Sequence, residues 1–303
     1  MKKFSLIRLS VIAFTALSVF AVSCSDDDEA TTPTQTITDI VVSDPNFSIL
    51  EAAVVKAGLA NALSTGNPLT VFAPDNAAFA AAGISEATIA SLRVSTVDSI
   101  LKYHVLAALV TSTSVPASDA VTPLLGINLF ASKNANGVFM NGIKVKQADI
   151  SASNGVIHVI ERVLIPPTQT IAQIAASDTS FSFLVAAVSK VGLLAAISGP
   201  GKFTVFAPTN AAFRAAGITD INAVPIGTLE TVVKYHVLAT NVFASDLINN
   251  TTAQTIQGGN LRITLPPAAI KIDGSASPVS NIATANITAT NGVIHVIDRV
   301  LLP

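Results

Sequence analysis

The chain contains few residues of the kinds that carry enzyme chemistry. It has a single cysteine, Cys24, so it cannot form an internal disulfide, and only 12% of its 303 residues are charged. It also lacks a G-x-S-x-G nucleophile elbow, an H-E-x-x-H metal motif and a G-x-x-x-x-G-K phosphate loop. These absences weigh against hydrolase chemistry and against metal or nucleotide cofactors. We therefore predict a protein that is not an enzyme and has no cofactor.

Long hydrophobic runs are also scarce. The run near the N-terminus, Leu9–Val22, is almost unbroken but spans only 14 residues, whereas a membrane-spanning helix needs roughly 20. Three basic residues precede it, and the small residues Ala21–Ser23 end it. This pattern is typical of a signal peptide, which we predict at residues 1–23.

Cys24 lies directly behind this run, where it resembles the lipidated cysteine of bacterial lipoproteins. The alternative is an ordinary secreted protein with a stray thiol, although an unpaired exported cysteine is unusual. Several acyl chains would hold the protein on a membrane, since one chain alone binds only marginally. The next residues, Ser25–Glu29, are acidic and lead into a Thr-rich stretch, so we interpret residues 24–36 as a polar tether.

The acidic cluster resembles the surface-export signal of some Gram-negative lipoproteins, or it only keeps the tether soluble. We expect a lipoprotein of the Gram-negative envelope, in the outer membrane, that faces either the outside or the periplasm. Loss of the signal peptide removes three of the 17 basic residues and leaves 14 against 19 acidic ones, a net charge of −5. Because this charge repels phosphate backbones, we predict no nucleic-acid partner.

The strongest pattern in the sequence is an internal duplication. Thr70–Phe79 returns 134 residues later as Thr204–Phe213 with one difference, and Asn154–Pro166 returns 137 residues later as Asn291–Pro303. The period far exceeds the 20 to 50 residues of solenoid repeats, and each copy is long enough to bury its own core. The sequence therefore predicts two similar domains in tandem.

The first half of each copy is predicted to be mainly helical. Apolar residues recur at helical spacing from Ser43–Pro45 to Gly58, and the second copy repeats the pattern. After the short strand Leu69–Ala73, Asp75 is placed to cap a helix, and Thr209 takes that position in the second copy. Threonine can cap a helix but cannot replace a catalytic carboxylate, so we interpret Asp75 as a cap rather than an acid.

A later helix in each copy leads to a Tyr-His pair, Tyr103-His104 and Tyr235-His236. Helical spacing places both histidines on the apolar stripe and the tyrosines nearer its edge. A buried imidazole needs a hydrogen-bond partner, so we expect each histidine to donate to a backbone carbonyl. Contact with a ligand or a partner is the alternative.

The second half of each copy is predicted to be β-structure. Gly137–Met140 and Ile143–Ile150 flank Asn141-Gly142, a type I′ hairpin signal, and we predict a second such turn at Asn154-Gly155. Val156–Leu164 is apolar on both faces and is therefore expected to be central. The matching segments of the second copy are Ala269–Ile272, Asp273-Gly274 and Asn291-Gly292.

Two further histidines, His158 and His295, lie on the strands that end the copies. They could join His104 and His236 as imidazole pairs for a metal. No carboxylate or thiol stands at ligand spacing nearby, so we expect structural roles and predict no metal site.

Three segments, in the same order in both copies, carry a resemblance to the fasciclin domain family. They are the strand-turn-helix at Thr70–Phe79, the Tyr-His-Val-Leu that starts at Tyr103, and the closing Asn154–Pro166. The resemblance implies an α+β fold with two tandem compact domains, at residues 37–166 and 167–303. Each domain would be a wedge-shaped, β-sandwich-like sheet flanked by several helices.

The resemblance also implies a function. The family consists mostly of secreted or membrane-anchored extracellular proteins, many of them involved in cell adhesion, without shared catalytic residues. We therefore expect an adhesion or matrix-interaction lipoprotein with protein or glycan partners at the cell surface. In some animal members the Tyr-His motif has been linked to receptor binding, which carries over to Tyr103, His104, Tyr235 and His236. The helical spacing favours a structural role for them instead.

Three further expectations concern binding and domain arrangement. An apolar groove between the helices and the β wedge would suit a small ligand, the alternative function. Pro166-Pro167 predicts a stiff joint between the domains. Binding specificity is expected where the copies differ, as in Leu124–Lys133 against Thr255–Pro267.

Overall fold

The computed structural model of the protein describes residues 33–65, 68–264, 269–272 and 279–303. The predicted signal peptide, Cys24 and the tether up to residue 32 lie outside the described residues, as do Asp273-Gly274 and residues 265–267 of the second divergent segment. The segments 37–166 and 167–303 are called here the first and the second repeat.

The first repeat begins with helices and ends with strands. Its helices are α1 (Ile37–Ser43), α2 (Ser48–Ala57), α3 (Ala60–Ser64), α4 (Asn76–Ala81), α5 (Glu86–Ser91) and α6 (Val94–Tyr103). Its strands are β1 (Leu69–Pro74), β2 (Val105–Leu106), β3 (Ser118–Val121), β4 (Leu129–Asn134), β5 (Gly137–Met140), β6 (Ile143–Ala152) and β7 (Gly155–Ile160).

The second repeat follows the same order. Its helices are α7 (Ile171–Ser177), α8 (Ser182–Lys190), α9 (Leu194–Ser198), α10 (Asn210–Ala215) and α11 (Ile226–Tyr235). Its strands are β8 (Phe203–Pro208), β9 (Val237–Leu238), β10 (Thr251–Gln254), β11 (Asn260–Thr264), β12 (Ala269–Ile272), β13 (Ser280–Ala289) and β14 (Gly292–Ile297). A 3₁₀ turn at Ile221–Ala223 stands where the first repeat has α5.

The described strands of each repeat form a seven-stranded sheet of matching topology. The strand orders are β2-β1-β7-β6-β5-β4-β3 and β10-β11-β12-β13-β14-β8-β9. Only the pairs β1–β7 and β8–β14 are parallel among them. These central strands are almost wholly buried, as expected of strands covered on both faces. The predicted α+β fold and the predicted central strand are therefore confirmed.

Each sheet separates two apolar cores. In the first repeat, Val71 of β1 and Leu101 of α6 point into a core shared with α1 and α2. Phe72 of β1 and Tyr103 of α6 point to the opposite side, where they pack against β4 and β5. The second repeat has the same pair of cores. Alternate residues of one strand thus serve different cores, since successive side chains of a strand face opposite ways.

Local capping signals of the sequence are realised. Asp44 caps the 3₁₀ turn that leads into α2, and Gly58 ends α2 in the left-handed conformation. Asp75 caps α4 by accepting from Ala78 N at 2.7 Å, and Thr209 caps α10 by accepting from Ala212 N at 3.3 Å. The interpretation of this position as a cap is confirmed.

The two hairpin predictions have different outcomes. Asn141 and Gly142 both have positive φ, at 49° and 74°, and they join β5 to β6 as predicted. The prediction for Asn154-Gly155 is wrong, because Ala152 pairs with Gly155 and the turn is therefore Ser153-Asn154. The strand also ends at Ile160 rather than at Leu164.

Among the described helices, none by itself has both the length and the apolar character to cross a bilayer. One bent pair, Ile171–Ser177 with Thr179–Lys190, reaches both only when its two arms, which lie at 103° to each other, are taken together.

Candidate binding sites

The Tyr-His pairs lie where α6 and α11 end. Tyr103 is the last residue of α6 and His104 caps its C-terminus, and Tyr235 and His236 repeat this arrangement in α11. The exposed fractions are 0% for Tyr103 and 2% for each of the other three residues. All four side chains are therefore inside the folded repeats.

Both ring nitrogens of His104 are committed to the backbone. Nδ1 lies 2.7 Å from the carbonyl oxygen of Ile100, so it donates, and Nε2 accepts from Leu164 N at 3.0 Å. His236 makes the same two bonds, to Val232 O at 2.7 Å and from Leu301 N at 2.9 Å. The expected donation to a backbone carbonyl is confirmed. Each histidine also ties the end of a helix to the chain beyond the central strand.

Burial lowers the pKa of His104 and of His236 to about 4, although their hydrogen bonds to backbone carbonyls act in the opposite direction. The imidazoles are thus neutral at neutral pH. A neutral ring can donate from one nitrogen and accept at the other, as both histidines do.

The tyrosines are deeper than the sequence predicted. Tyr103 was expected near the edge of the apolar stripe, but its side chain lies in the core that packs against β4 and β5. Its hydroxyl donates to Asn128 O at 3.1 Å and accepts from Asn141 Nδ2 at 3.0 Å. Tyr235 likewise donates to Asn260 O at 2.8 Å. Burial raises the pKa of Tyr103 to about 12.

This geometry gives the Tyr-His pairs a structural role. Their polar atoms are held by hydrogen bonds inside each repeat, and their side chains are not presented to a partner in solution. The receptor contact that the family resemblance implied for these side chains would require the repeat to open.

His158 and His295 are equally committed. His158 Nε2 donates to Val110 O at 2.8 Å, and Nδ1 accepts from Asp149 N at 3.1 Å. His295 makes the matching bonds to Val242 O at 2.8 Å and from Asn286 N at 3.4 Å. A metal pair would have to break these bonds. Among the described residues, no group of three or more His, Cys, Asp or Glu side chains is placed to hold a metal.

Several polar residues organise each repeat in ways that were not predicted from the sequence. Asn154 accepts from Ile37 N at 2.9 Å and donates to Leu63 O at 2.7 Å, so it fastens α1 and α3 to the start of β7. Asn291 does the same in the second repeat. The fully buried Thr70 and Thr204 each bridge to the loop behind β2 or β9. Their identity in both copies was the available signal.

A cavity of about 160 Å³ lies in the first repeat between its helices and β1. It matches the position predicted for the apolar groove. Its apolar lining comes from five elements or their flanks, which are α1, α2, α3, the start of β1 and the end of α6. The lining includes Ile37, Val41, Leu50, Ala60, Leu69 and Leu101.

The second repeat has a smaller cavity, of about 60 Å³, at the equivalent place. The corresponding lining residues are Ile171, Ala175, Leu184, Leu194, Phe203 and Val233. Both cavities are thus bounded by the same elements.

The repeats touch through side chains that differ between the copies. Ser132 of β4 donates to Asp246 at 2.5 Å, and Asn134 Nδ2 donates to Ser245 O at 2.8 Å. The ring centroids of Phe130 and Phe243 lie 6.1 Å apart. Part of the divergent segment Leu124–Lys133 therefore contacts the second repeat.

Comparisons with known proteins agree with this duplicated fold. The model of the fasciclin domain matches residues 45–166 and again residues 179–303. Human periostin is 29% identical over 272 residues, which cover 88% of this chain and 31% of periostin. Pig transforming growth factor-beta-induced protein ig-h3 is 29% identical over 241 residues, 77% of this chain and 34% of that protein. The chain thus spans about a third of either relative.

A shorter relative and a solved structure complete the comparison. Protein sll1483 of Synechocystis is 37% identical over 174 residues, 52% of this chain and 96% of that protein. A FAS1 domain pair from the insect cell adhesion molecule fasciclin I aligns with 88% of this chain and 96% of its own length, at 18% identity and a TM-score of 0.43. Because the family model matches most of the sequence in two consecutive copies, the chain belongs to the fasciclin domain family.

Proposed function

We propose that this protein is an adhesion or matrix-interaction module without catalytic activity, held on the cell envelope by lipidated Cys24. Its partners would be proteins or glycans at the cell surface or in the matrix. Family membership supports this role, because many fasciclin-domain proteins act in cell adhesion.

The observation that carries the proposal is the hydrogen bonding of the histidine side chains. All four histidines, in both repeats, use both ring nitrogens in hydrogen bonds within the fold. A general acid or base needs a nitrogen that can reach substrate. Within the described residues, the histidines thus stabilise the fold. The surfaces of the two repeats, by contrast, differ in sequence.

Two linked domains suit an adhesive role for a physical reason. Once one domain is bound, the second engages at a high effective concentration, provided that both can reach their partners together. The contacts of Ser132 and Asn134 with the second repeat support a restricted relative motion of the two domains. A fixed pair would present its two partner-facing surfaces in a constant geometry. We place partner specificity in the exposed parts of the divergent segments Leu124–Lys133 and Thr255–Pro267.

Exposure on the cell surface is the first requirement to test. We expect external protease to remove the protein from intact cells, and Cys24→Ser to release it from the membrane fraction. Full protection from protease in intact cells, with digestion after outer-membrane permeabilisation, would place the domains in the periplasm and contradict adhesion.

Attachment is the direct test. A deletion strain should attach less to surfaces, matrix and neighbouring cells, and the wild-type gene should restore attachment. The Cys24→Ser gene should not, because a released protein cannot join a cell to a partner. Unchanged attachment of the deletion strain would contradict the proposal.

A second function is favoured by the cavities between the helices and the central strands. Their lining is almost entirely apolar, which suits a small apolar ligand of the envelope. Native mass spectrometry of protein purified from its own envelope should then detect a bound small molecule. Protein that carries no ligand and gains no thermal stability in a screen of apolar compounds would contradict this function.

A further inference from the structure

The two cavities are equivalent in position but not in size. Ile37 and Leu50 line the larger one, and their counterparts Ile171 and Leu184 line the smaller one. The volumes are about 160 Å³ in the first repeat and about 60 Å³ in the second. Since the surrounding elements are the same, the difference comes from the lining side chains.

Two positions that line both cavities carry larger side chains in the second repeat. Leu194 stands where the first repeat has Ala60, and Phe203 stands where it has Leu69.

The changes at two other lining positions go the other way. Val41 corresponds to the smaller Ala175 and Leu101 to the smaller Val233. These two changes alone would enlarge the second cavity. We therefore attribute its smaller volume to Phe203 and to Leu194, which is also 41% exposed.

The lining of the first cavity selects an apolar occupant. The hydroxyl of Thr38 donates to Ala60 O at 3.2 Å, and both ring nitrogens of His104 are already bonded. At the rim, the ammonium of Lys102 pairs with Asp98 at 2.9 Å. A polar ligand would have to break one of these interactions or be held at the partly exposed carboxylate of Glu51, whereas an apolar one would lose little on leaving water.

Volume limits the occupant further. An apolar cavity of roughly 150 Å³ holds benzene or xenon and otherwise stays dry, while drug-sized ligands need roughly 300 Å³ or more. A cavity of about 160 Å³ therefore fits a group of about six carbon atoms. The smaller cavity does not fit such a group.

We propose that the first repeat, and not the second, binds a small apolar molecule of about six carbon atoms in this cavity. This inference rests on the second proposed function and adds to it the ligand class and the repeat that binds. It is independent of the adhesion proposal.

The test is a titration of the whole soluble chain, Cys24→Ser without its signal peptide, with benzene and with xenon. Methyl groups of Ile37, Leu50 and Leu101 are expected to shift in NMR spectra with saturation. Those of Ile171 and Leu184 should stay in place. The second repeat is therefore an internal control within each sample.

Exchanging these residues gives matched variants in which each repeat carries the residues that the other has at the equivalent positions. Ala60→Leu with Leu69→Phe should abolish the shifts in the first repeat. Leu194→Ala with Phe203→Leu should create shifts at Ile171 and Leu184. The second variant gains a signal, so it remains informative even if the first one folds poorly.

The outcomes separate the two claims. Equal shifts in both repeats of the wild-type chain, or shifts that persist in the filled variant, would overturn this inference and leave a ligand-binding role standing. The absence of saturable shifts in either repeat and in every variant would overturn both. Shifts confined to the first repeat that vanish on filling and appear on opening would support both.

Discussion

Gly155 and Gly292 occupy positions that admit no side chain. A Cβ on Gly155 would lie 2.0 Å from the carbonyl oxygen of Leu69, and one on Gly292 would lie 2.0 Å from that of Phe203. Each glycine is the first residue of the central strand and lies where that strand begins to pair with its parallel neighbour. The backbone approach that builds the sheet thus depends on these glycines.

Gly155→Ala is therefore expected to destabilise the first repeat severely, by about 3 kcal/mol or more, because a backbone oxygen cannot move aside cheaply. Urea unfolding followed by circular dichroism measures the change. Gly227→Ala is the control, since its Cβ would meet nothing within 4 Å and a helix favours alanine by up to about 1 kcal/mol. Equal stability of the two variants would contradict this account.

The buried histidines predict an acid-sensitive fold. Since the pKa of His104 and His236 is about 4 in the folded chain and about 6.5 when unfolded, the unfolded chain binds more protons in between. The stabilisation is complete above about pH 6.5 and is lost as the pH falls towards about 4.

We expect His104 and His236 each to reduce the free energy of unfolding of their repeat by about 2 kcal/mol between pH 7.5 and pH 5. Burial also lowers the pKa of His295, which adds to the loss in the second repeat. Urea titrations at several pH values measure this loss. His104→Gln should flatten the profile of the first repeat and leave that of the second unchanged. A wild-type profile that is flat or rises on acidification would show that the histidines are not held neutral.

At the scale of elements, the residues at which helices begin agree closely with those predicted from the sequence. Asp75 and Thr209 both cap their helices, because either side chain accepts from the free N–H three residues on. Asp75 also pairs with Lys146 at 2.6 Å. In the second repeat, Thr209 cannot form such an ion pair, so the cap alone is sufficient to begin the helix at this position.

Asp75→Ala should lower the stability of the first repeat by about 1 kcal/mol through loss of the cap. Asp75→Thr, the natural residue of the second repeat, should recover most of that loss. Lys146→Ala isolates the ion pair, which is partly exposed and expected to contribute less than about 1 kcal/mol. The same urea unfolding compares all three, and a threonine variant as unstable as the alanine one would refute capping as the main role.

Turn prediction succeeded where the turn residues alone set the geometry. Asn141-Gly142 adopts positive φ and closes its hairpin. Asn154-Gly155 carries the same two letters, but the side chain of Asn154 is used to hold α1 and α3. Gly155 is needed for its closeness to Leu69. Tertiary contacts thus moved the turn by one residue.

At the scale of the whole molecule, the junction between repeats depends on residues that exist in one copy only. Asp246 and Phe243 contact the first repeat, whereas the first repeat has Ser114 and Thr111 at the corresponding positions. Gln169, just after the two prolines, is also tied to the second repeat, because its carbonyl accepts from Thr290 N at 2.9 Å. Little free chain remains between the repeats.

Wild-type protein is therefore expected to show a narrow distribution of interdomain distances in small-angle scattering. Asp246→Ala with Phe243→Ala should broaden it, because the Ser132–Asp246 hydrogen bond and the Phe130–Phe243 contact are removed. Ser114→Ala with Thr111→Ala, at the equivalent places of the first repeat, should leave it unchanged. A broad distribution in the wild-type chain would refute the stiff joint.

The sequence by itself determined the duplication, the order of helices and strands, the helix caps and the family. These features depend on local chemistry and spacing, and the two copies supply an internal comparison for each of them. They also identify Asp75 as a cap and place His104 and His236 on buried stripes.

Only the tertiary structure decided which core each side chain enters, how deep Tyr103 lies and which lining residues fill the second cavity. It also decided that Phe130 and Ser132 face the second repeat instead of solvent. These outcomes depend on pairs of residues far apart in the chain, such as Asn154 with Leu63 or Ser132 with Asp246. Spacing along the sequence carries no record of such distances, because packing of the whole fold brings these residues together.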